Sequence, residues 1–504
     1  PPPAPPTGGT LVVTIALSQS TLTTLPEAVP RPTYDRGAVR TGVVHLGVGG
    51  FHRSHQAVYL DRVLARGHTD WGISGVGVLP IDRALSDALR AQDGLYTLVV
   101  KHPTGRTERS VVGSLLEHRL LAGDLQAVLA TMAAPTTRIV TLTITEGGYS
   151  TDKGTGRFEL DDALRADLDS PEVGTAFGLL TAALRRRRAA GTPPFTVVSC
   201  DNVEGNGHLA RQTLVAFARL QDEHTGDDLG DWVAEHVAFP NSMVDRITPA
   251  TTDDDRAQLT AGTGIVDRWP VVAEPYLQWV LEDSFCNGRP PLEEVGVQLV
   301  ADVRPYELMK LRLLNASHQV MSYLGYLAGH RRVDEVMADP LFIELVERYM
   351  RDEATPTLPP VPDTDLDAYR RTLLERFANP AVSDTLARNC AQGSERIATF
   401  VLPVVRDQLR DGGPFDLAVL AVAAWARYAT GVDEDGEPIA VVDARLDRLT
   451  PLLDRPEDVS AILDASEVFG DLAADERFRA SYVEAAELLR RLGARGAVAH
   501  LLGR

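Results

Sequence analysis

The sequence predicts an α/β protein, with a doubly wound parallel sheet in its N-terminal part and a mostly α-helical region behind it. Two patterns carry this. Up to about residue 302, short apolar runs alternate with segments of helical period, the rhythm of strands crossed over by helices. From about residue 303, one helical segment follows another with no strand between.

In chain order, residues 1–24 open with PPPAPPTGGTLVV, which lacks the basic and apolar stretches of a signal peptide and reads as a flexible leader. GVVHLGVGG (42–50) is a first strand ending in glycines, and HQAVYLDRVLARG behind it has helical spacing. WGISGVGVL is a second strand, followed by the helix DRALSDALRAQ. LYTLVV and RIVTLTIT are further strands, the latter preceded by the helix DLQAVLATMAA. FGLLTAALRRRR is a helix whose arginines at 185–188 read as a solvated end, where cations suit the dipole, and not as a binding patch. FTVVSCDN is a strand leading into the helix HLARQTLVAFARL. This gives a sheet domain over residues 25–302 and a helical domain over 303–504, the latter built from runs such as ELMKLRLLNASHQVMSYLGYLAGH and DLAVLAVAAWARYATG.

Composition excludes several classes. Of 504 residues 44% are hydrophobic, enough for a large core. A net charge of −20 argues against nucleic acid or an anionic membrane surface as the main partner. The longest apolar run, LAVLAVAAWA from Leu417, is about half a membrane span. Three cysteines, Cys200, Cys286 and Cys390, give no disulfide framework, so a reducing cytoplasm is expected.

The first chemical motif is GVGGFHRSH. Gly47, Gly49 and Gly50 lie between a strand and a helix, where glycine lets the backbone approach a pyrophosphate and Phe51 stands beside the loop. The last glycine of G-x-G-x-x-G is replaced by His52, so the fingerprint is incomplete. Asp82, after the second strand, is the nearest acid able to accept from adenosine ribose hydroxyls, which favours NAD with NADP as the other candidate. It sits slightly late and fits an exposed turn equally.

TITEGGY and SCDNVEGNG follow two further strands, at the sheet edge where such folds place ligands. Asn202 and Asn206 are placed to polarise an alcohol or carbonyl oxygen, to cap the next helix, or to take the left-handed turn conformation that asparagine before glycine favours. FPNSMVDRITP offers Asp245 and Arg246, whose plainer reading is a surface ion pair. His45, His52 and His55 lack an accompanying cysteine pair, so packing is expected of them and no metal.

KLRLLNASHQ (310–319) sets polar groups among leucines in a helix begun by Pro305 and stopped by Gly329. With α-helical rotation, Lys310 falls in the apolar stripe, with His318 roughly 80° and Asn315 roughly 140° round from it. A lysine held there has its pKa lowered by desolvation and can take a proton from an alcohol, with amide and imidazole holding the oxygen. Glu307 shares that arc and is placed to relay the proton. A stem snorkelling from a helix edge explains the lysine as well.

A resemblance decides between these. HLGVGGFHRSHQAVYLD, TEGGY, CDNVEGNG, FPNSMVDRITP, PVVAEPYLQWVLED and PYELMKLRLLNASH resemble, in this order, the polyol-specific long-chain dehydrogenases, whose hallmark is K-x-x-x-x-N-x-x-H. The resemblance implies a Rossmann-type domain, a helical domain with a cleft between them, and metal-independent hydride transfer to NAD or NADP. It implies Lys310 as general base, Asn206 and Asn315 as an oxyanion pair, His318 as the orienting imidazole and Glu307 as the carboxylate beside the lysine. Glu146 and Asp245 match other acidic positions, and Arg388, in NPAVSDTLARNCAQGSER, would contact substrate hydroxyls. Ser54 departs from a commoner alanine, and LPID from the usual acidic pair after the second strand. The expectation is a cytoplasmic, monomeric enzyme interconverting a sugar alcohol and its 2-keto sugar, D-mannitol and D-fructose first. Arabinitol, sorbitol or a uronate are the alternatives, and a non-catalytic nucleotide sensor is disfavoured because the whole constellation is present.

Overall fold

Valine-rich runs form the central sheet of the first unit. Its strands are β1 (Thr41–Leu46), β2 (Gly72–Gly77), β3 (Leu115–Leu120), β4 (Ile139–Leu142) and β5 (Thr196–Ser199), all parallel, in the order β3-β2-β1-β4-β5. This is the dinucleotide-fold order, with the switch point between β1 and β4. Val44, Leu46, Val140, Leu142 and Val197 face one core, and Val43, Ile73, Ile139 and Val198 the other. Burial on both faces is why these strands read as unbroken apolar runs. The computed structural model describes residues 14–151, 156–168, 170, 172–455 and 457–504. The chain forms two compact units that part between Val303 and Arg304.

Three expectations need correction. LYTLVV forms Tyr96–Lys101, which lies outside the parallel sheet; it is the middle strand of a second sheet, antiparallel to Thr107–Val112 and parallel to Val271–Ala273. The edge place falls to β3, LLEHRL, whose charged residues hid it from an apolar-run reading. Residues 15–24, expected within a leader, are part of the fold. Ile15–Ala16 pairs with Ile265–Val266, and Leu17 and Leu22 are buried with Leu25, Val29 and Leu95, while residues 1–13 lie outside the described residues. Of the four arginines, Arg187 is fully buried and donates to the carbonyls of Met132, Ala134, Thr137 and Pro193.

In the second unit the helix Asp416–Ala429, which holds the apolar run, packs against Ala316–Leu327 and Glu476–Leu501. It is too short for a bilayer, and no helix among the described residues is long and apolar enough to cross a membrane. Helical backbone runs unbroken from Arg304 to Leu327, but Lys310–Asn315 is a π turn. Two more π turns, Tyr349–Ala354 and Ile397–Val401, pack against it.

Candidate active site

In the first unit the glycine loop leaves β1 at Gly47, whose φ of +90° suits glycine alone. A Cβ there would stand 2.2 Å from the Thr143 carbonyl oxygen, whereas one on Gly49 would meet nothing nearer than the Gly47 oxygen at 3.8 Å. Space therefore opens in front of Gly49. The loop is pinned from behind, because Thr143 donates its hydroxyl to the Gly47 carbonyl at 2.7 Å and Oγ1 of Thr143 lies 2.9 Å from His45 Nε2. With its own proton committed, Thr143 must accept from His45, so His45 carries its proton on Nε2 and takes the Thr141 hydroxyl on Nδ1 at 2.7 Å.

His45 stacks on His52 with ring centroids 3.4 Å apart. Burial lowers His45 to about 3 and holds His52 far below the usual histidine value, so both rings are neutral. Phe51 stacks on His55. Among the described residues no three His, Cys, Asp or Glu side chains group as a metal site needs. Ser54 bonds Thr248 Oγ1 at 2.7 Å, a contact that alanine would lack. Asp82 accepts the Leu79 N–H through Oδ2 at 3.0 Å, closing the turn after β2.

The loop after β4 carries Glu146, which is exposed. It is strained: Thr145 has φ +62° and ψ 165°, a region kept by glycine, and Ser150 has φ +49°. Asp201, after β5, holds this shape by accepting from the N–H groups of Ile144 and Thr145 and from the Tyr149 hydroxyl. Nothing in SCDN marks Asp201 for this work, since its partners lie more than fifty residues away in sequence.

Asn206 opens the helix that follows Asp201. It is fully buried, and its two N–H groups donate to the carbonyls of Asp201 (3.0 Å) and Ser242 (2.8 Å) while Oδ1 accepts the Ser242 N–H at 3.0 Å. The Ser242 N–H fixes which atom is oxygen, and the amide nitrogen faces the two backbone carbonyls. Asn202 is exposed on the same loop. Asp245 and Arg246 are not a surface pair, because both are buried. Arg246 donates to the carbonyls of Glu274 and Ser54, tying the glycine-loop helix to a neighbouring strand.

In the second unit, Lys310 is 8% exposed, with Glu307 buried and Asn315 half-buried. The π turn changes their angular relation. At about 80° per residue through the turn, Asn315 lies some 40° from Lys310 and His318 about 20° on the other side. All three then share an arc of about 60°, where α geometry spreads them over about 140°. Residue types gave no sign of this, because a π turn is a matter of hydrogen-bond register.

His318 is 9% exposed, packs against Phe377 at 4.7 Å, and its Nε2 has no hydrogen-bond partner among the described residues. Burial lowers its pKa to about 4, helped by Arg388, Arg376 and Arg396 and opposed by Asp384. It is thus a neutral imidazole with one buried nitrogen unpartnered among the described residues. Arg388 forms a bidentate pair with half-buried Asp384, Nε to Oδ1 at 2.8 Å and Nη2 to Oδ2 at 2.7 Å, while its side chain stays 61% exposed. Burial pushes the Asp384 carboxyl up, but the paired Arg388 guanidinium brings it below the usual value.

The model of the mannitol dehydrogenase Rossmann domain matches residues 41–294, and that of the mannitol dehydrogenase C-terminal domain matches 302–490. A mannitol 2-dehydrogenase of Phaeosphaeria nodorum is 44% identical over 494 residues, covering 96% of this chain and 85% of the relative. A mannitol dehydrogenase of Saccharomyces cerevisiae is 46% identical over 432 residues, 85% of each chain. Among solved structures, Pseudomonas fluorescens mannitol 2-dehydrogenase in ternary complex with NAD and D-mannitol superposes with a TM-score of 0.87 at 44% identity, covering 97% of this chain and all of that one. A substrate-free D-sorbitol dehydrogenase gives 0.89 at 35% identity, covering 96% and 100%.

Proposed function

The chain belongs to the mannitol dehydrogenase family, and from that membership we propose that it oxidises D-mannitol to D-fructose with NAD and runs the reduction in reverse. The observation that carries the reading is Lys310, buried on one arc with Asn315 and His318. The loop fits the cofactor: Gly47 makes the tight turn, and open space before Gly49 admits a pyrophosphate, with Gly50 and Phe51 beside it. Asp82, with Oδ1 outside the turn bond, would accept a ribose hydroxyl. Bound NAD supplies the hydride acceptor.

The residues of the second unit handle the proton. Lys310, as free amine, takes the C2 hydroxyl proton while the C2 hydrogen leaves as hydride; in reduction its ammonium returns that proton to the ketose oxygen. Asn315 donates to the same oxygen and stabilises its developing charge. His318, neutral, orients a substrate hydroxyl through Nε2. Arg388, fixed by Asp384, offers its outer N–H groups to further hydroxyls. Glu307 carries the proton away from Lys310. Glu146 and Asp245 are the acidic groups of the first unit assigned to substrate. The free thiols of Cys200, Cys286 and Cys390 suit a reducing cytoplasm, and the family resemblance carries a monomer.

Fold similarity does not separate mannitol from sorbitol, since the two TM-scores are nearly equal; the higher identity favours mannitol. The test is kcat/KM on D-mannitol, D-sorbitol, D-arabinitol and the matching ketoses and uronates, each with NAD and NADP. D-mannitol with NAD is expected to lead, and activity to survive dialysis against a strong chelator. A lead by another polyol or a uronate reassigns the substrate, and chelator loss restored by zinc overturns the proton chemistry above.

The Thr143 pin bears on the cofactor alone. Thr143→Val leaves the Gly47 carbonyl and the His45 N–H without partners, a cost of about 1–3 kcal/mol. NADH titrated by fluorescence is expected to bind about tenfold more weakly, with kcat at saturating NAD little changed. An unaltered dissociation constant would make the pin irrelevant to binding.

A further inference from the structure

A π turn leaves backbone bonds unmade and survives only where its surroundings impose it. Three such turns meet in the second unit, and Lys310–Asn315 packs against both others. One residue bonds to the segments that carry the other two. Arg312, in the middle of the first turn and almost wholly buried, donates through Nη1 to the Thr357 carbonyl at 2.6 Å, just beyond the second turn. The same nitrogen lies 2.7 Å from Asp407 Oδ2, in the helix that follows the third. The Arg312 carbonyl accepts the hydroxyl of Tyr349, the first residue of the second turn, at 3.4 Å.

We infer that Arg312, locked by Asp407, Thr357 and Tyr349, is a positioning residue that holds the π turn and thereby sets Lys310 on the same arc as Asn315 and His318. The inference rests on the assignment of Lys310 as base. Without the lock the turn relaxes to α geometry, which rotates Lys310 about 100° relative to Asn315. Stability alone does not account for the arginine. Its Nε has no hydrogen-bond partner among the described residues, and Asp407 keeps Arg410 as a second cation at 2.7 Å, so loss of the Arg312 guanidinium leaves no unpaired charge there.

That contrast supplies the test. Arg312→Met, Arg312→Lys, Lys310→Ala and the Arg312→Met/Lys310→Ala double variant are compared for kcat on D-mannitol, NADH affinity and melting temperature. Arg312→Met is expected to lose on the order of 10²-fold in kcat with NADH affinity and melting temperature near those of the parent. Arg312→Lys recovers part of the rate. In the Lys310→Ala background Arg312→Met adds less than about twofold, because no base remains to be positioned. Full kcat in Arg312→Met beside an impaired Lys310→Ala overturns this inference alone, as does an equal loss in both backgrounds. Full activity in Lys310→Ala overturns the base assignment and the inference with it. Should Arg312→Met fail to fold, isosteric Asp407→Asn is measured instead, with kcat expected to fall while the melting temperature holds; unchanged kcat there overturns the inference.

Discussion

Lys310→Ala is expected to lower turnover on the order of 10²–10⁴-fold in both directions, the usual contribution of a positioned acid–base group. Oxidation needs the amine to receive the C2 hydroxyl proton, and reduction needs the ammonium to return it. The variant's pH–rate profile should therefore lose the ionisation that the parent enzyme shows. NADH affinity should stay as it was, because the first unit holds the dinucleotide loop. His318→Asn is the internal control. With the imidazole at about 4, His318 is already deprotonated above pH 5, so its loss slows turnover without altering the profile between about pH 6 and 10. Steady-state kinetics across pH on both variants decide the matter. Near-parental turnover in Lys310→Ala, with its profile unchanged, returns the lysine to a snorkelling structural role.

Gly47→Ala carries the second large effect. The new Cβ would lie 2.2 Å from the Thr143 carbonyl oxygen, and alanine would have to hold a φ of +90°. The carbonyl has little freedom to yield, because the Thr143 N–H bonds the Leu46 carbonyl at 3.0 Å and ties the ends of β1 and β4 together. Strain and overpacking together are expected to cost on the order of 3 kcal/mol or more, lowering the melting temperature and cofactor affinity together. Gly49→Ala should behave differently. Its φ of −121° is open to any residue, and nothing lies within 3.8 Å of the added methyl. Its folding should be unaffected while NADH binding weakens, because the methyl occupies the space assigned to the pyrophosphate. Calorimetry and NADH titration on the two variants separate a folding glycine from a ligand glycine. Unimpaired binding in Gly49→Ala would falsify the placement of the cofactor.

The β1, β2, β4 and β5 strands were legible because a parallel strand covered on both faces becomes an apolar run, and the glycines after β1 mark where it turns. What escaped depended on distant partners. Glu117, His118 and Arg119 hid β3, and LYTLVV carries no sign of which sheet it will join. The residue types of the K-x-x-x-x-N-x-x-H helix were legible, and their burial followed from the leucines around them. Their angular relation was not, since it depends on a backbone register that Arg312 helps impose from contacts 45 and 95 positions away. Asn206 shows the limit most plainly. An asparagine before glycine suits catalysis, capping or turning, and only the fold shows that its amide meets Ser242 and Asp201.

The bonds behind the glycine loop all point one way: Thr141 donates to His45, His45 to Thr143, and Thr143 to the Gly47 carbonyl. Aligned dipoles of this kind polarise one another. Electron density drawn onto the Gly47 oxygen is drawn out of the peptide unit that it shares with the Val48 nitrogen. The Val48 N–H thus gains partial positive charge from a series of neutral groups. The two threonines and the imidazole between them act as an inductive lead that raises the electropositive character of the loop without placing a cation beside it.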